Sequence, residues 1–181
     1  MNAQHSSDQR TADQRTADKI VLVGVPGVGK STVGPLVAQE LNWRFVDFDI
    51  VIEQESGLSV SQIFFQRGVD EFRRLESELT ARLASVPDLV LAPGGGWILR
   101  NRMPKALLIW LQVEPATAVE RMGPGVQNRP LMSGDPLRTV EMLLKERAEL
   151  YAEAEMHIDT NGRSAAEVAH AVVQAYKDYG D

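Results

Sequence analysis

Eight consecutive residues, Gly24-Val25-Pro26-Gly27-Val28-Gly29-Lys30-Ser31, spell G-x-x-x-x-G-K-S. That is the P-loop, or Walker A, spacing. Its glycines let the backbone fold back and aim successive N–H groups inward, a nest for anionic oxygens. Lys30 adds a mobile cation for the outer phosphates, and Ser31 offers a hydroxyl to a divalent metal ion. A helix beginning here would point its positive end at the same place. Two carboxylates follow in Phe45-Val46-Asp47-Phe48-Asp49. Read as the end of a strand, the pair faces one side with about 7 Å between them, far enough to serve separate atoms. Gly94-Gly95-Gly96 offers a stretch of backbone that a ligand can approach closely.

The P-loop needs a strand before it and a helix after it. Lys19-Ile20-Val21-Leu22-Val23 is a short apolar, β-branched run of the kind found in buried parallel strands. After the loop, Val33, Leu36, Val37 and Leu41 fall at helical spacing, with Pro35 in the first turns, where a missing N–H costs little. Further strands are expected at 44–47, 88–92, 106–111 and 156–159. Ser59-Val60-Ser61-Gln62 and Ser164-Ala165-Ala166-Glu167 are capping boxes, and Asp135-Pro136 reads as an N-cap followed by an N1 proline. Strands alternating with helices predict a parallel sheet covered on both faces, with ligands beyond the carboxyl ends of the strands. The P-loop, Asp47 and the triple glycine all follow strand ends, so they should converge. The glycine- and proline-rich stretch 123–136 reads as a lid carrying Arg129, because phosphoryl transfer needs water excluded and positive charge supplied.

Composition limits the alternatives. The 181 residues fit one domain; 44% are hydrophobic and 24% charged, as in a soluble globular protein. Residues 1–18 are polar, hold a small repeat (Asp8–Ala12 and Asp13–Ala17), and are expected to form a disordered tail rather than a secretory signal. No apolar run is long enough to span a bilayer, so no membrane role is expected. With no cysteine there is no disulfide and no thiolate chemistry, which suits a cytoplasmic location. A net charge of −6 with no basic stripe argues against nucleic acid and requires the cations to gather in one cleft. His5, His157 and His170 share no metal-binding spacing.

From Lys19 onward the chain resembles the shikimate kinases, which use ATP to phosphorylate the 3-hydroxyl of shikimate on the route to chorismate and the aromatic amino acids. The resemblance rests on six ordered elements: the P-loop Gly24–Thr32; Asp47, Asp49 and the trailing Ile52-Glu53; Gly68 followed by Glu71-Phe72-Arg73-Arg74-Leu75-Glu76; Gly94-Gly95-Gly96; Arg129-Pro130-Leu131; and Arg147 with Tyr151. It implies a three-layer P-loop kinase fold with a five-stranded parallel sheet in the order 2-3-1-4-5. Substrate-binding helices are expected at about 50–84 and the lid at about 123–136. It implies that ATP is held by Gly27, Val28, Gly29, Lys30, Ser31, Thr32 and Arg129. Mg²⁺ would be bound by Ser31, with Asp47 in support. Shikimate would be held by Arg73, Arg147, Gly94, Gly95, Gly96 and Asp49, with Asp49, Lys30 and Arg129 catalytic. A monomer acting on these two small molecules is expected.

Three positions depart from the family pattern. Val69 stands where a glutamate is common. Trp97, after the triple glycine, is bulky enough to reshape the substrate pocket. Met122 lies where some members place a nucleotide-contacting arginine, although Arg121 is adjacent. No primary group is lost, so an active enzyme is expected. A gluconate kinase would share the P-loop without needing two carboxylate-gripping arginines. A catalytically silent sensor would be expected to lose Lys30, Asp49 or Arg129, and all three remain. A nucleoside monophosphate kinase would need a base-recognition pocket that is not visible in the sequence.

Overall fold

The computed structural model describes residues 17–124, 132 and 134–180. Residues 1–16, Arg129 and most of the expected lid therefore lie outside the described residues. Five strands form one sheet: β1 (Lys19–Val23), β2 (Arg44–Asp47), β3 (Leu89–Ala92), β4 (Ala106–Gln112) and β5 (Met156–Asp159). All pairs are parallel and the order is β2-β3-β1-β4-β5, as the family resemblance implies. Every residue of β1 is buried, the outcome for a central strand covered on both faces. Among the described residues six α-helices surround the sheet: α1 (Lys30–Leu41), α2 (Phe48–Ser56), α3 (Val60–Leu83), α4 (Pro115–Met122), α5 (Pro136–Ala152) and α6 (Ala165–Tyr179). Helix α1 packs on α6 and β3, α2 on α3, and α4 on α5.

Strand order decides where a ligand can enter. Helix α1 carries the chain from β1 outward to β2, whereas the chain leaving β3 crosses β1 to reach β4. The loops after β1 and β3 part at their carboxyl ends and open the crevice typical of such a switch point. The P-loop leaves β1 there, and the triple glycine leaves β3 beside it.

Local signals set the helix starts. Ser59 and Gln62 form a reciprocal capping box on α3, Ser164 and Glu167 another on α6, and Asp135 accepts from the Arg138 N–H ahead of α5. Three expectations change. Pro35 is the sixth residue of α1, beyond the turn whose N–H groups have no helical acceptor, so it removes an interior hydrogen bond. Asp49 is not on the strand: β2 ends at Asp47, whose carboxylate accepts from the Asp49 and Ile50 N–H groups and so starts α2 at Phe48. The packed body also begins before Lys19, since Ala17 is buried, its carbonyl accepts from the Tyr176 hydroxyl, and Asp18 bonds to both Lys105 and Asp88.

Candidate active site

The P-loop closes directly onto α1. Gly29 takes a left-handed conformation (φ 108°) before the helix, and its carbonyl accepts from the Thr32 and Val33 N–H groups. Lys30 Nζ reaches back to the carbonyls of Gly24 (2.8 Å) and Val25 (3.2 Å), so the ammonium lies across the loop. Residues Pro26–Val33 line one side of a cleft of about 420 Å³, and Asp47, Asp49, Gly94 and Gly95 line it as well.

Arg121, Thr160 and Arg163 line the cleft too, and of these the sequence singles out only Arg121, as a stand-in for the arginine that some family members carry at the Met122 position. Arg121 donates to the Val28 carbonyl (3.2 Å) and to Thr160 at its hydroxyl (2.9 Å) and carbonyl (2.7 Å). It thereby ties the P-loop to the end of β5 and places a cation in the cleft, although Met122 stands beside it. The signal for Arg121 is its place beside Met122, where some family members carry a nucleotide-contacting arginine. Thr160 and Arg163 gave none, because only the tertiary fold brings them to the P-loop.

A second cavity of about 280 Å³ adjoins the first, and Pro26, Asp49, Gly94 and Gly95 border both. Its other lining includes Arg73, Arg147, Gly96, Phe64 and Phe72. Arg73 comes from α3, is buried, forms an ion pair with Glu76, and places its guanidinium carbon 5.4 Å from the centre of the Phe72 ring. Arg147 comes from α5 and is only 6% exposed, and its Nε and Nη1 lack any partner among the described residues. Buried donors left unpaired are costly. A guanidinium held this way is an anion site by its chemistry, and a planar carboxylate fits its fork. Arg147 and Tyr151, four positions apart on α5, are both buried. The buried Tyr151 hydroxyl donates to the Gly95 carbonyl (2.6 Å). Burial pushes its phenol above the usual range, against the nearby Arg147 charge, and keeps that donor protonated.

Glu76, three positions after Arg73 in the same motif, is fully buried, and its Oε1 has no hydrogen-bond partner among the described residues. Burial raises its pKa first and the Asp49 charge adds to this, while Arg73 and the Gly94 backbone oppose it. The triple glycine makes room for these charged groups. A Cβ on Gly96 would sit 2.3 Å from Arg73 Nη2, and one on Gly94 would sit 2.6 Å from Glu76 Oε1.

Trp97 does not reshape either cavity. Its side chain is fully buried, lines neither space, and donates from Nε1 to Thr80 Oγ1 (2.7 Å). Val69 is exposed and lines neither cavity. Asp47 and Ser31 offer hard oxygen ligands in the larger cleft, the kind a magnesium ion takes. No cluster of three or more histidine, cysteine or acidic side chains able to hold a metal exists among the described residues. A metal here would have to bring most of its ligands with it, as one carried on nucleotide phosphates does.

The sequence comparison accounts for this arrangement: the shikimate kinase family model matches residues 26–177. The chain belongs to the shikimate kinase family. A shikimate kinase of Moorella thermoacetica is 42% identical over 163 residues, which covers 87% of this chain and 94% of the relative. One of Symbiobacterium thermophilum is 40% identical over 170 residues, covering 90% and 98% respectively. Among solved structures, the shikimate kinase of Acinetobacter baumannii in complex with shikimate superposes with a TM-score of 0.81 at 33% identity, over 89% of this chain and 93% of that one.

Proposed function

We propose that this chain is a shikimate kinase, transferring the γ-phosphoryl group of MgATP to the 3-hydroxyl of shikimate and releasing shikimate 3-phosphate and ADP. The observation that carries the reading is the pair of cavities bordered by Asp49, one walled by the P-loop and the other lined by the buried guanidinium of Arg147, whose Nε and Nη1 have no partner among the described residues.

In this reading Gly27 to Thr32 hold the phosphates through backbone N–H groups and the α1 dipole. Lys30 leaves the Gly24 and Val25 carbonyls for the outer phosphates and, with Arg129, neutralises charge spreading over the transferring group. Ser31, with Asp47 in support, would hold Mg²⁺, which would supply positive charge to the phosphates. Arg73 and Arg147 grip the shikimate carboxylate. Gly94 to Gly96 keep the wall of the pocket free of side chains. Asp49 stands between the two spaces, orients the acceptor hydroxyl, and takes its proton as the oxygen attacks phosphorus. Closure of residues 123–136 would exclude water. A cytoplasmic monomer is expected, and sedimentation and cell fractionation would test it.

The deciding assay couples ADP release to absorbance with MgATP and, in turn, shikimate, quinate, gluconate and no acceptor. Turnover with shikimate alone is expected. Turnover with gluconate, or none from protein that still binds shikimate, would overturn the assignment.

A further inference from the structure

Trp97 opens the short 3-10 turn Trp97–Leu99 directly after the triple glycine, and it fastens that turn in two directions. Its backbone N–H donates to the Gly94 carbonyl (2.9 Å), which closes the glycine turn on itself. Its indole N–H crosses to α3 and donates to Thr80 Oγ1 (2.7 Å), and the same hydroxyl donates to the Glu76 carbonyl (2.7 Å). The Thr80 hydroxyl thus spends its one proton on the helix and accepts from the indole, so both groups have fixed orientations. Arg73, Glu76 and Thr80 sit at i, i+3 and i+7 on one face of α3, and all three are buried.

The gap being held is narrow. A methyl group on Gly96 or Gly94 would collide with Arg73 or Glu76. A slip of the turn along α3 would move the Arg73 guanidinium relative to the cavity that it lines. Displacements near 1 Å at positioning groups can cost about 100-fold in rate. On the opposite side Tyr151 ties Gly95 to α5, the helix that carries Arg147. Each arginine-bearing helix is therefore joined to the triple-glycine segment by a side-chain hydrogen bond, Trp97 to Thr80 on α3 and Tyr151 on α5 to Gly95.

We propose that Trp97, acting through Thr80, is a positioning residue for the anion grip: its indole bond sets where Arg73 and Glu76 stand against Gly94–Gly96, and so how tightly the carboxylate substrate is held. This rests on the reading of the smaller cavity as the shikimate site. Trp97 never touches the substrate.

The test uses the full chain and compares Michaelis constants for shikimate and for ATP in Trp97→Phe, Thr80→Val, Thr80→Ser and the Trp97→Phe/Thr80→Val double variant. In Trp97→Phe and in Thr80→Val the shikimate constant is expected to rise about tenfold, the scale of one lost buried hydrogen bond, with the ATP constant unchanged. Thr80→Ser keeps the hydroxyl and should stay near the wild type. The double variant should be no worse than the poorer single variant, because both remove one interaction. Equal rises in both constants would reduce Trp97 to general packing and overturn the proposal. So would an unchanged shikimate constant in folded variants, or a Thr80→Ser as poor as Thr80→Val. If Trp97→Phe does not fold, the two Thr80 variants decide alone. A wild type that turns over shikimate while the variants match it refutes only the positioning role. A wild type inactive on shikimate refutes the reading of the site, and this inference with it.

Discussion

The two arginines of the smaller cavity are held in opposite ways, so removing each should cost something different. Arg73 neutralises the buried Glu76, and Arg73→Ala would leave that carboxylate without its partner. Such losses destabilise by about 3–5 kcal/mol, so this variant should unfold at lower temperature as well as bind shikimate poorly. Arg147 has two buried donors without partners among the described residues, and Arg147→Met replaces them with apolar volume. The ligand-free variant is expected to melt at or above the wild-type temperature while shikimate no longer raises its melting point; a large loss of stability would show that Arg147 is structural. Glu76 carries the pH dependence. Its pKa is raised by burial, so between the ordinary carboxylate range and that raised value the folded chain keeps a proton that the unfolded chain has released. Stability should therefore fall as pH rises through that window. Urea midpoints measured across it should show the fall in the wild type and a flatter profile in Glu76→Gln. Lys30→Ala should keep the fold but lose at least about 100-fold in turnover, the scale of one removed charge-stabilising donor.

At the level of elements, α3 is one helix by hydrogen bonding but two by backbone angles. Gly68 sits inside it at φ 84° and ψ 168°, a region essentially closed to other residues. Nothing lies within 4 Å of a Cβ placed there, so Gly68→Ala isolates backbone strain from steric contact. It should cost about 1–3 kcal/mol, readable by denaturant titration. Because the kink separates Val60, Ser61 and Phe64 from Phe72 and Arg73 along the wall of the cavity, shikimate affinity should fall as well. A variant as stable as the wild type would mean that the kink relaxes into regular helix. The same elements show what a sequence reveals. The P-loop, both capping boxes and the Asp135 cap were legible because each is a contact between residues a few positions apart. The strand order came with the family resemblance. The helical placement of Asp49 was misread because a carboxylate that caps a helix has the same spacing as a pair on a strand. Trp97 was misread because side-chain size says nothing of direction, and its partner Thr80 lies 17 positions away. The burial of Glu76 and the arrival of Arg121, Thr160 and Arg163 at the P-loop depend on the packing of α3, α4 and β5, which no local pattern encodes.

Over the whole molecule, an acidic chain must hold anions. With a net charge of −6 the distant field repels both a nucleotide and a carboxylate, while Lys30, Arg73, Arg121, Arg147 and Arg163 line the two adjoining cavities beyond the carboxyl ends of the strands. The two contributions differ in range. The repulsion acts across solvent and is screened within about 10 Å at 0.1 M salt, whereas contacts to buried guanidinium groups are screened far less. Adding sodium chloride from about 0.01 M to about 0.1 M should therefore relieve the repulsion and leave the grip intact. At saturating MgATP, kcat/KM for shikimate is expected to hold steady or rise slightly over that range. A steep fall would mean that shikimate is drawn in by long-range attraction to the surface, and that the buried arginines are not what captures it.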